Sequence, residues 1–470
     1  MIVVLSQGCA ANFGDGEKIA RILSQKSDVT FEFPEAKPAH STKAKNSTSA
    51  ANPADFSTEK PEAFYLNVCT VKGNAGAMKL LRKAASTFPG VPIYITGCAP
   101  KDFREEALRT VPHVQFTSLK ELVASAILPT QPAQSPSSQT SARTPGSNKI
   151  YRNVLRESPF VGIVNIEEGC LDACAFCSTH LVKGRLHSFA PQTIVDQVQA
   201  LVDDGCLEIQ LTGQDCACYG FDIGTNLAEL TQRILTHVNG NYRIRLGMGN
   251  PRHVLGYQEA LLDCFTDNRI YKFIHIPVQS GSENVLKAMN RRHTARDYAT
   301  LAHAFTERFS KFTLSTDLIV GYPGETDADF NDTLKLLKET RPTVCNITRF
   351  VARPGTVAAH LESTINSAHL EASNSERLAP APLAVPDTVK HERSAILAEA
   401  FQQIAIENNR EWIGDECTVV TEKQGYRAGT TIARNEAYRP VALQGTFPAG
   451  QTLRVRITDA EPFALIAKPL

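Results

Sequence analysis

Short apolar runs rich in β-branched residues alternate along this chain with segments of helical period. In the first 128 residues the pattern predicts strands at 2–6, 63–67 and 92–96. Helical periods are expected near 15–25, 75–88 and 102–111. Because each strand is followed by a helix, the pattern predicts a small α/β domain built on a parallel sheet.

The middle of the chain repeats the strand-then-helix pattern about six times. The expected strands lie at 161–166, 207–212, 242–248, 271–276, 312–320 and 344–351. Helical periods are clearest at 191–204, 226–238 and 327–340. This regularity predicts an open or partial (β/α) barrel, in which functional side chains lie at the carboxyl ends of the strands.

The last part of the chain shows two further patterns. A long helical pattern covers 389–409, and short strands with glycine-containing turns follow at 410–470. The second pattern is typical of a small antiparallel β-barrel. Segments of biased composition, which cannot bury much apolar surface, lie at 36–62, 129–148 and 363–388. The predicted organisation is an N-terminal domain, a linker, a central domain and a C-terminal domain, at 1–128, 129–150, 151–409 and 410–470.

The composition is that of an ordinary globular protein of 470 residues, with 42% hydrophobic residues and a formal net charge of zero. Zero net charge excludes a global basic field, so any contact with nucleic acid has to be local. No apolar run reaches the length of a transmembrane helix, and the first residues have the pattern of a strand instead of a signal peptide. Twelve cysteines without a secretory leader indicate a reducing compartment. We therefore expect a cytoplasmic protein with no membrane partner.

Three cysteines stand close together in the stretch EEGCLDACAFCSTH, at Cys170, Cys174 and Cys177. A structural zinc site uses four protein ligands, and disulfides use cysteines in pairs. Three thiolates from one loop suit a 4Fe–4S cluster whose fourth iron stays open for a ligand. A zinc site or a chance arrangement is the alternative. The triad directly follows the first predicted strand of the barrel, where such a barrel carries its chemistry.

With Phe176 just before its last cysteine, the CxxxCxxC spacing resembles the radical S-adenosylmethionine (SAM) superfamily. The resemblance implies that the open iron binds the amino and carboxylate groups of SAM. It also implies that one electron cleaves the S–C bond of SAM to give a 5′-deoxyadenosyl radical. Cys170, Cys174 and Cys177 would then be both metal ligands and the catalytic centre.

Three more cysteines follow the predicted strands of the N-terminal domain. Cys9, Cys69 and Cys98 each stand directly after a strand, in SQGCAAN, LNVCTVK and ITGCAP. The carboxyl ends of parallel strands lie at one edge of a sheet, so we expect the three thiols to converge. The sequence therefore predicts a second three-thiolate metal site. The alternative is three separate buried cysteines, which is a common fate of this residue.

Two tri-cysteine sites followed by a small β-barrel resemble the methylthiotransferase family. CTVK at 69–72, KGRLHSF at 183–189 and YGFDIGTNLAEL at 219–230 resemble its archaeal and eukaryotic branch. The resemblance implies two 4Fe–4S clusters, SAM, and a C-terminal TRAM domain that binds RNA. It also implies a substrate, N6-threonylcarbamoyladenosine at position 37 of tRNA, which receives a 2-methylthio group. An unidentified electron donor is the further partner expected, and DNA is not.

Polar and glycine-rich strand ends of the barrel are expected, by the same resemblance, to line a pocket for SAM and adenosine. Together with Phe176, the expected cofactor contacts are Gly213, Gln214, Arg245, Gln279, Ser280 and Asp317. Each also has a plain alternative, because such runs form turns in any βα loop. Cys216 and Cys218 are expected to pack as small hydrophobic residues, with a redox or ligand role as the alternative.

In the C-terminal domain, Arg434, Tyr438 and Arg439 stand close together in sequence. They are expected to contact RNA phosphates and bases, and a solvated barrel face is the alternative.

Two rival functions stay open from the sequence. One is a methylthiotransferase that acts on isopentenyl-adenosine tRNA or on an aspartate of a ribosomal protein. The other, from a different class, is a non-catalytic Fe–S or zinc protein that binds RNA. The second rival leaves the six βα repeats unexplained.

Overall fold

The computed structural model describes residues 1–34, 60–69, 75–127, 155–361 and 384–470. The biased segments noted in the sequence lie almost wholly outside these described residues. The described residues up to Glu157 form one compact unit, and those from Ser158 to Leu470 form another. Among the described helices, none has the length and apolar character needed to cross a membrane. The bounds of the four segments expected from the sequence stay predictions.

The N-terminal unit is built on a five-stranded parallel sheet with the order β2-β1-β3-β4-β5. Its strands are β1 (Ile2–Ser6), β2 (Val29–Thr30), β3 (Ala63–Val68), β4 (Ile93–Gly97) and β5 (Gln115–Phe116). Its helices are α1 (Ala10–Leu23), α2 (Ala75–Thr87), α3 (Lys101–Thr110) and α4 (Leu119–Ile127). The small α/β fold expected from the sequence is confirmed.

Helices cover both faces of this sheet. Side chains from α2 and α3 pack on one face with Phe64 and Leu66 of β3. Side chains from α1 and α4 pack on the other face with Ile2 and Val4 of β1. Burial of both faces explains why the strands read as nearly continuous apolar runs.

The central part of the second unit is an open barrel of six parallel strands. Two three-stranded sheets, β6-β9-β10 and β11-β12-β13, are joined by a parallel bridge between Ile244 and Ile270. These strands are β6 (Val161–Asn165), β9 (Glu208–Thr212), β10 (Arg243–Leu246), β11 (Phe273–His275), β12 (Thr313–Val320) and β13 (Val344–Arg349). A short antiparallel pair, β7 (Glu167–Glu168) and β8 (His187–Ser188), follows β6. The partial (β/α) barrel expected from the sequence is confirmed.

Helices surround this open barrel. They are α5 (Thr179–Lys183), α6 (Pro191–Asp203), α7 (Leu227–His237), α8 (Pro251–Val254), α9 (Gln258–Cys264), α10 (Glu283–Ala288), α11 (Ala295–Arg308), α12 (Asp327–Thr340) and α13 (Asp387–Arg410). Several begin where the sequence carries a capping signal. The Thr326 side chain accepts from the backbone of Asp329, and the Asp329 side chain accepts in return, forming a capping box at the start of α12.

The C-terminal part closes into a barrel of five strands in the order β14-β15-β16-β18-β17. The strands are β14 (Glu416–Gln424), β15 (Thr430–Asn435), β16 (Pro440–Gln444), β17 (Thr452–Glu461) and β18 (Ala464–Pro469). A ring with an odd number of strands cannot alternate direction throughout. One pair, β16 with β18, is accordingly parallel, and the other pairs are antiparallel. The small β-barrel expected from the sequence is confirmed.

A tight turn of the C-terminal barrel docks against the amino ends of the central strands. The Tyr438 hydroxyl donates to the Glu208 carboxylate at 3.0 Å, and its ring lies 5.1 Å from that of Phe273. The Lys272 backbone N–H donates to the Glu436 carbonyl at 2.9 Å. Tyr438 has a φ of 59°, a left-handed conformation that costs free energy for a non-glycine residue. We infer that these docking contacts stabilise the turn.

The docking changes the role expected for the arginines of this turn. Arg439 is 5% exposed and hydrogen-bonds to Asn409 and Thr343. Arg434 pairs with Glu422 at 2.6 Å and lies over the Tyr438 ring. The expectation that Arg439 contacts RNA is therefore wrong, and Arg434 and Tyr438 are engaged in contacts within the protein.

We expect the buried pair between Arg393 of α13 and Glu325 to hold this helix on the barrel. Their side chains are 7% and 2% exposed, and the N–O distance is 2.6 Å. Replacing Arg393 with Met leaves a buried carboxylate without its partner, which costs about 3–5 kcal/mol. Hydrogen exchange of the α13 amides should accelerate accordingly.

The matched control is Glu407→Ala, also on α13, which removes an exposed pair with Arg341. Exposed pairs contribute little, so this variant should leave the α13 exchange rates close to those of the unchanged protein. Equal effects of the two substitutions would contradict the role assigned to Arg393.

Candidate functional site

The loop that carries the central cysteine triad is closed at its neck by a short antiparallel pair, β7 with β8. Just inside this neck, Cys170 bridges to Arg185. Gly169 has a φ of 86°, and a Cβ atom there would lie 2.1 Å from the Arg185 carbonyl oxygen. Only glycine therefore permits this approach of the two backbones. The loop consequently begins and ends at a fixed point directly after β6.

The three thiols of this loop differ from most other cysteines of the central barrel in being partly exposed. The Asp172 N–H points at the Cys170 sulfur at 3.4 Å, and the Arg291 guanidinium donates to the Cys174 sulfur at 3.5 Å. Burial raises the pKa of Cys174 to about 11, while Arg291 opposes the shift and the neighbouring Cys177 adds to it. Metal binding deprotonates such thiols.

Three thiols carried by one loop, one cationic donor and one backbone donor are a donor set that fits an iron–sulfur cluster. Arg291 was not anticipated from the sequence, because nothing in its surrounding pattern marks it as a neighbour of Cys174.

An acidic residue within the loop anchors it to the next strand end. The Asp172 carboxylate accepts from Asn250 at 2.6 Å and from Arg252 at 2.5 Å, and lies 3.1 Å from the His253 ring. Burial alone would raise the pKa of Asp172, but the His253 hydrogen bond and the Arg252 charge lower it overall. Asp172 is therefore ionised and ties the loop to α8. This role was not predicted from the sequence, although the position of an acidic residue between two cysteines could have indicated it.

The strand end after β9 supports the same loop. The Gln214 side-chain oxygen accepts from the Gly169 N–H at 2.7 Å. A Cβ atom on Gly213 would lie 1.9 Å from a carboxylate oxygen of the buried Glu167. That same oxygen accepts from the Asp215 N–H at 3.0 Å. Gly213 and Gln214 thus lie beside the cysteine loop, and their direct contact with SAM stays a prediction.

A polar group in the barrel interior joins the last three strands. The Asp317 carboxylate accepts from Asn346 at 2.7 Å and lies 3.1 Å from the His275 ring. Burial would raise the pKa of Asp317, but the hydrogen bond with His275 lowers it overall. Gln279, with a φ of 78°, donates its N–H to the Asp317 carbonyl at 2.8 Å. Gln279 and Asp317 are therefore neighbours, as sites at adjacent strand ends should be.

Three residues expected to contact the cofactor make contacts with other parts of the protein. Ser280 is fully buried, and its hydroxyl lies 3.1 Å from that of Thr333 on α12. Arg245 lies over the rings of Phe273 and Tyr438. Phe176 packs against an apolar cluster that contains Val285, Met289, Tyr322, Phe350 and Ala358. Their contacts with SAM stay predictions.

The cysteines of the N-terminal unit stand at the carboxyl ends of β1, β3 and β4. The sulfur atoms of Cys9 and Cys69 lie 4.0 Å apart, and the Cys98 N–H donates to the Val68 carbonyl at 2.8 Å. The hydrogen bond with Cys69 and burial raise the pKa of Cys9, and Cys98 adds to the shift. A Cβ atom on Gly8 would lie 2.1 Å from that of Cys69. This strand edge therefore brings together thiols from separate parts of the chain.

Two asparagines brace the same edge and were missed in the sequence. Asn67 donates to the Asn12 carbonyl at 2.5 Å, and Asn12 donates to the Gln7 carbonyl at 2.7 Å. Asn67 is 1% exposed and interrupts an otherwise apolar strand. A buried polar residue in such a strand needs hydrogen-bond partners, and this was the signal that could have identified it.

Comparison with known proteins agrees with this geometry. Residues 164–337 match the Radical SAM superfamily, and residues 410–470 match the TRAM domain. The chain is 38% identical to a probable threonylcarbamoyladenosine tRNA methylthiotransferase of Archaeoglobus fulgidus, over 65% of this chain and 66% of that protein. It is 31% identical to a protein of the same name from Pyrococcus horikoshii, over 94% and 93% of the two chains. It is 29% identical to the threonylcarbamoyladenosine tRNA methylthiotransferase of Homo sapiens, over 94% and 69%.

The likeness to the Pyrococcus protein extends over nearly the full length of both chains. The chain belongs to the threonylcarbamoyladenosine tRNA methylthiotransferase family of radical SAM proteins.

Proposed function

We propose that this chain is a transferase that replaces the C2 hydrogen of N6-threonylcarbamoyladenosine, at position 37 of tRNA, with a methylthio group. The observation that carries the proposal is the presence of two separate thiol sets, each at the carboxyl end of parallel strands, in a member of this family. One set alone would support SAM cleavage without explaining how sulfur is inserted.

The central triad is proposed to hold the cluster that supplies the electron for SAM cleavage. Arg291 offsets the negative charge that accumulates when Cys170, Cys174 and Cys177 are deprotonated. Asp172 fixes the loop through Asn250 and through its charged pair with Arg252. These residues hold the thiols in place, so the loop does not need to order itself when the cluster is bound.

The N-terminal triad of Cys9, Cys69 and Cys98 is proposed to hold a second 4Fe–4S cluster. The 4.0 Å separation of the Cys9 and Cys69 sulfurs supports this, as does the close approach that Gly8 permits. A radical is required because the adenine C2–H bond is unreactive toward ordinary acid–base chemistry, and the second cluster is proposed to carry the sulfur that replaces the hydrogen. An external electron donor of unidentified nature completes the proposal.

The interior group of His275, Asp317 and Asn346 is proposed to face the bound nucleoside. All three side chains lie on the inner side of neighbouring strands and form one hydrogen-bonded set. Such convergent polar groups are typical of small-molecule sites in barrels. The modified base has to leave the anticodon-loop stack to reach them, as in other enzymes that act on a base.

A face of the C-terminal barrel is proposed to bind tRNA phosphates. Arg454 and Arg456 are 66% and 56% exposed, and Arg456 lies opposite Lys468 in the strand register. One carboxylate, that of Glu416, pairs with both arginines and leaves the face with a net positive charge. This face replaces the Arg434–Arg439 turn as the expected RNA contact. Clustered cations of this kind release counterions when they bind phosphate.

The nucleoside profile of tRNA tests the proposed activity directly. Deleting the gene should abolish the 2-methylthio derivative of N6-threonylcarbamoyladenosine and leave the unmodified nucleoside in its place, as measured by mass spectrometry. The unchanged chain and Cys264→Ala should restore the derivative, because Cys264 is a buried cysteine outside both thiol sets. Loss of the methylthio form of isopentenyl-adenosine instead, or of a modified ribosomal-protein aspartate, would contradict the proposed substrate.

Iron content separates the two thiol sets. After anaerobic reconstitution the unchanged chain should bind about eight irons, four for each cluster. Cys69→Ala should bind about half and still release 5′-deoxyadenosine from SAM, whereas Cys174→Ala should bind about half and release none. Bound zinc without SAM cleavage would instead support a non-catalytic RNA-binding protein.

Affinity for tRNA tests the proposed RNA face. The double substitution Arg454→Ala and Arg456→Ala should weaken binding and reduce the slope of log K against log salt by about 1–2. The control is Arg427→Ala, which removes an arginine that is 78% exposed and paired with Glu461 on the same barrel. The proposed face is wrong if the control weakens binding as much as the double variant does.

A further inference from the structure

A fourth cysteine lies directly beside the central triad. Cys218 belongs to a single turn of 3-10 helix, Cys216–Cys218, that follows β9. Its sulfur, the Cys170 sulfur and a carboxylate oxygen of Asp215 all lie within 4.8 Å of one another. Cys218 is fully buried, whereas Cys170 is partly exposed. The thiol of Cys218 therefore reaches the cysteine loop from the protein interior.

The turn that carries Cys218 is held firmly in place. The Asp215 carboxylate accepts from the backbone N–H groups of Ala217 at 3.2 Å and Asn250 at 2.9 Å. The Tyr257 hydroxyl donates to the Ala217 carbonyl at 2.7 Å. Because both sides of the turn are fixed, the position of the Cys218 sulfur is set before any cluster binds.

We propose that Cys218 is a positioning residue whose thiol donates a hydrogen bond to the Cys170 sulfur and raises the reduction potential of the central cluster. The inference rests on the cluster proposed above for Cys170, Cys174 and Cys177. It does not depend on the second cluster, the tRNA substrate or the transfer of sulfur.

The charge of the acceptor determines which group receives the hydrogen bond from the Cys218 thiol. In the structure the thiol donates to the Asp215 carbonyl at 3.1 Å. An iron-bound Cys170 sulfur carries negative charge, and hydrogen bonds to charged acceptors are about twice as strong as those between neutral groups. The proton therefore turns toward Cys170 once iron is bound.

A hydrogen bond to a cluster ligand changes the redox balance because reduction adds an electron to the cluster. The donor stabilises the more negative, reduced state more than the oxidised state, and hydrogen bonds to the sulfurs are among the factors that set such potentials. The electron that cleaves SAM is supplied from this reduced state. Cys218 thus affects the reaction through Cys170 without touching the substrate.

The test is a redox titration of the full chain, followed by electron paramagnetic resonance, in a background with Cys9, Cys69 and Cys98 replaced by Ala. That background leaves one cluster to titrate, whether or not the N-terminal set binds iron. Cys218→Ala should lower the midpoint potential by up to about 59 mV, which is a tenfold change in the reduced-to-oxidised ratio for one electron. Cys218→Ser retains a donor and should return the potential toward that of the unchanged residue.

Cys216→Ala is the matched control, because Cys216 is equally buried on the same turn and its thiol lies near the Leu211 carbonyl. It should leave the potential unchanged. An unchanged potential in Cys218→Ala, or an equal shift in Cys216→Ala, would overturn the proposal. The proposal would also be overturned if Cys218→Ala bound less iron than the unchanged residue after reconstitution without SAM. Cys218 would then be a ligand instead of a hydrogen-bond donor.

Discussion

Close approach of two chain segments at a glycine is the constraint on which both thiol sets depend. At Gly169 the carbonyl of Arg185 occupies the space where a side chain would begin. At Gly8 the same space is filled by the side chain of Cys69. In each case a cysteine stands next to the glycine, so a larger residue would displace the neighbouring sulfur. The parallel strands bring the segments to one edge, and the glycines set the final distance between them.

Concentrating thiols in this way creates an electrostatic problem that each set meets differently. The central loop is supported by Arg291, by a backbone N–H and by the anchored carboxylate of Asp172. The N-terminal edge is braced by the side-chain amides of Asn12 and Asn67. Charged contacts therefore support the central loop, and amide hydrogen bonds support the N-terminal strand edge.

Much of the fold could be predicted because its strands are buried on both faces and its helices carry capping signals. The two-residue strands β2 and β5 escaped notice, since a run of two residues has no period. The N-terminal cysteine set could be predicted because strand order alone places its members at one edge, and the central set was visible from its spacing within one loop. The partners of those cysteines were not, because Arg291 lies 117 residues from Cys174 and no local pattern relates them.

The interpretation of the C-terminal arginines failed for a related reason. Exposure of a charged side chain depends on what packs against it, and Tyr438 meets its partner Glu208 across 230 residues of chain. The sequence shows that arginines and a tyrosine lie close together. The same pattern is expected for residues that contact RNA and for residues that dock within the protein. The exposed arginines of β17 carried no stronger signal than the buried one, so only the packed structure distinguishes them.

The parallel closure of the C-terminal barrel also has a consequence for biosynthesis. Strand β18, the last of the barrel strands to be synthesised, fits between β16 and β17 and completes the ring. Until residues 464–469 emerge, β16 and β17 each present an unpaired edge of the kind that promotes association between chains. A nascent chain that stalls before Ala464 therefore exposes two unpaired strand edges that can associate with other chains, although both thiol sets have already been synthesised. The pairing of β18 with both neighbours thus protects the barrel from association with other chains.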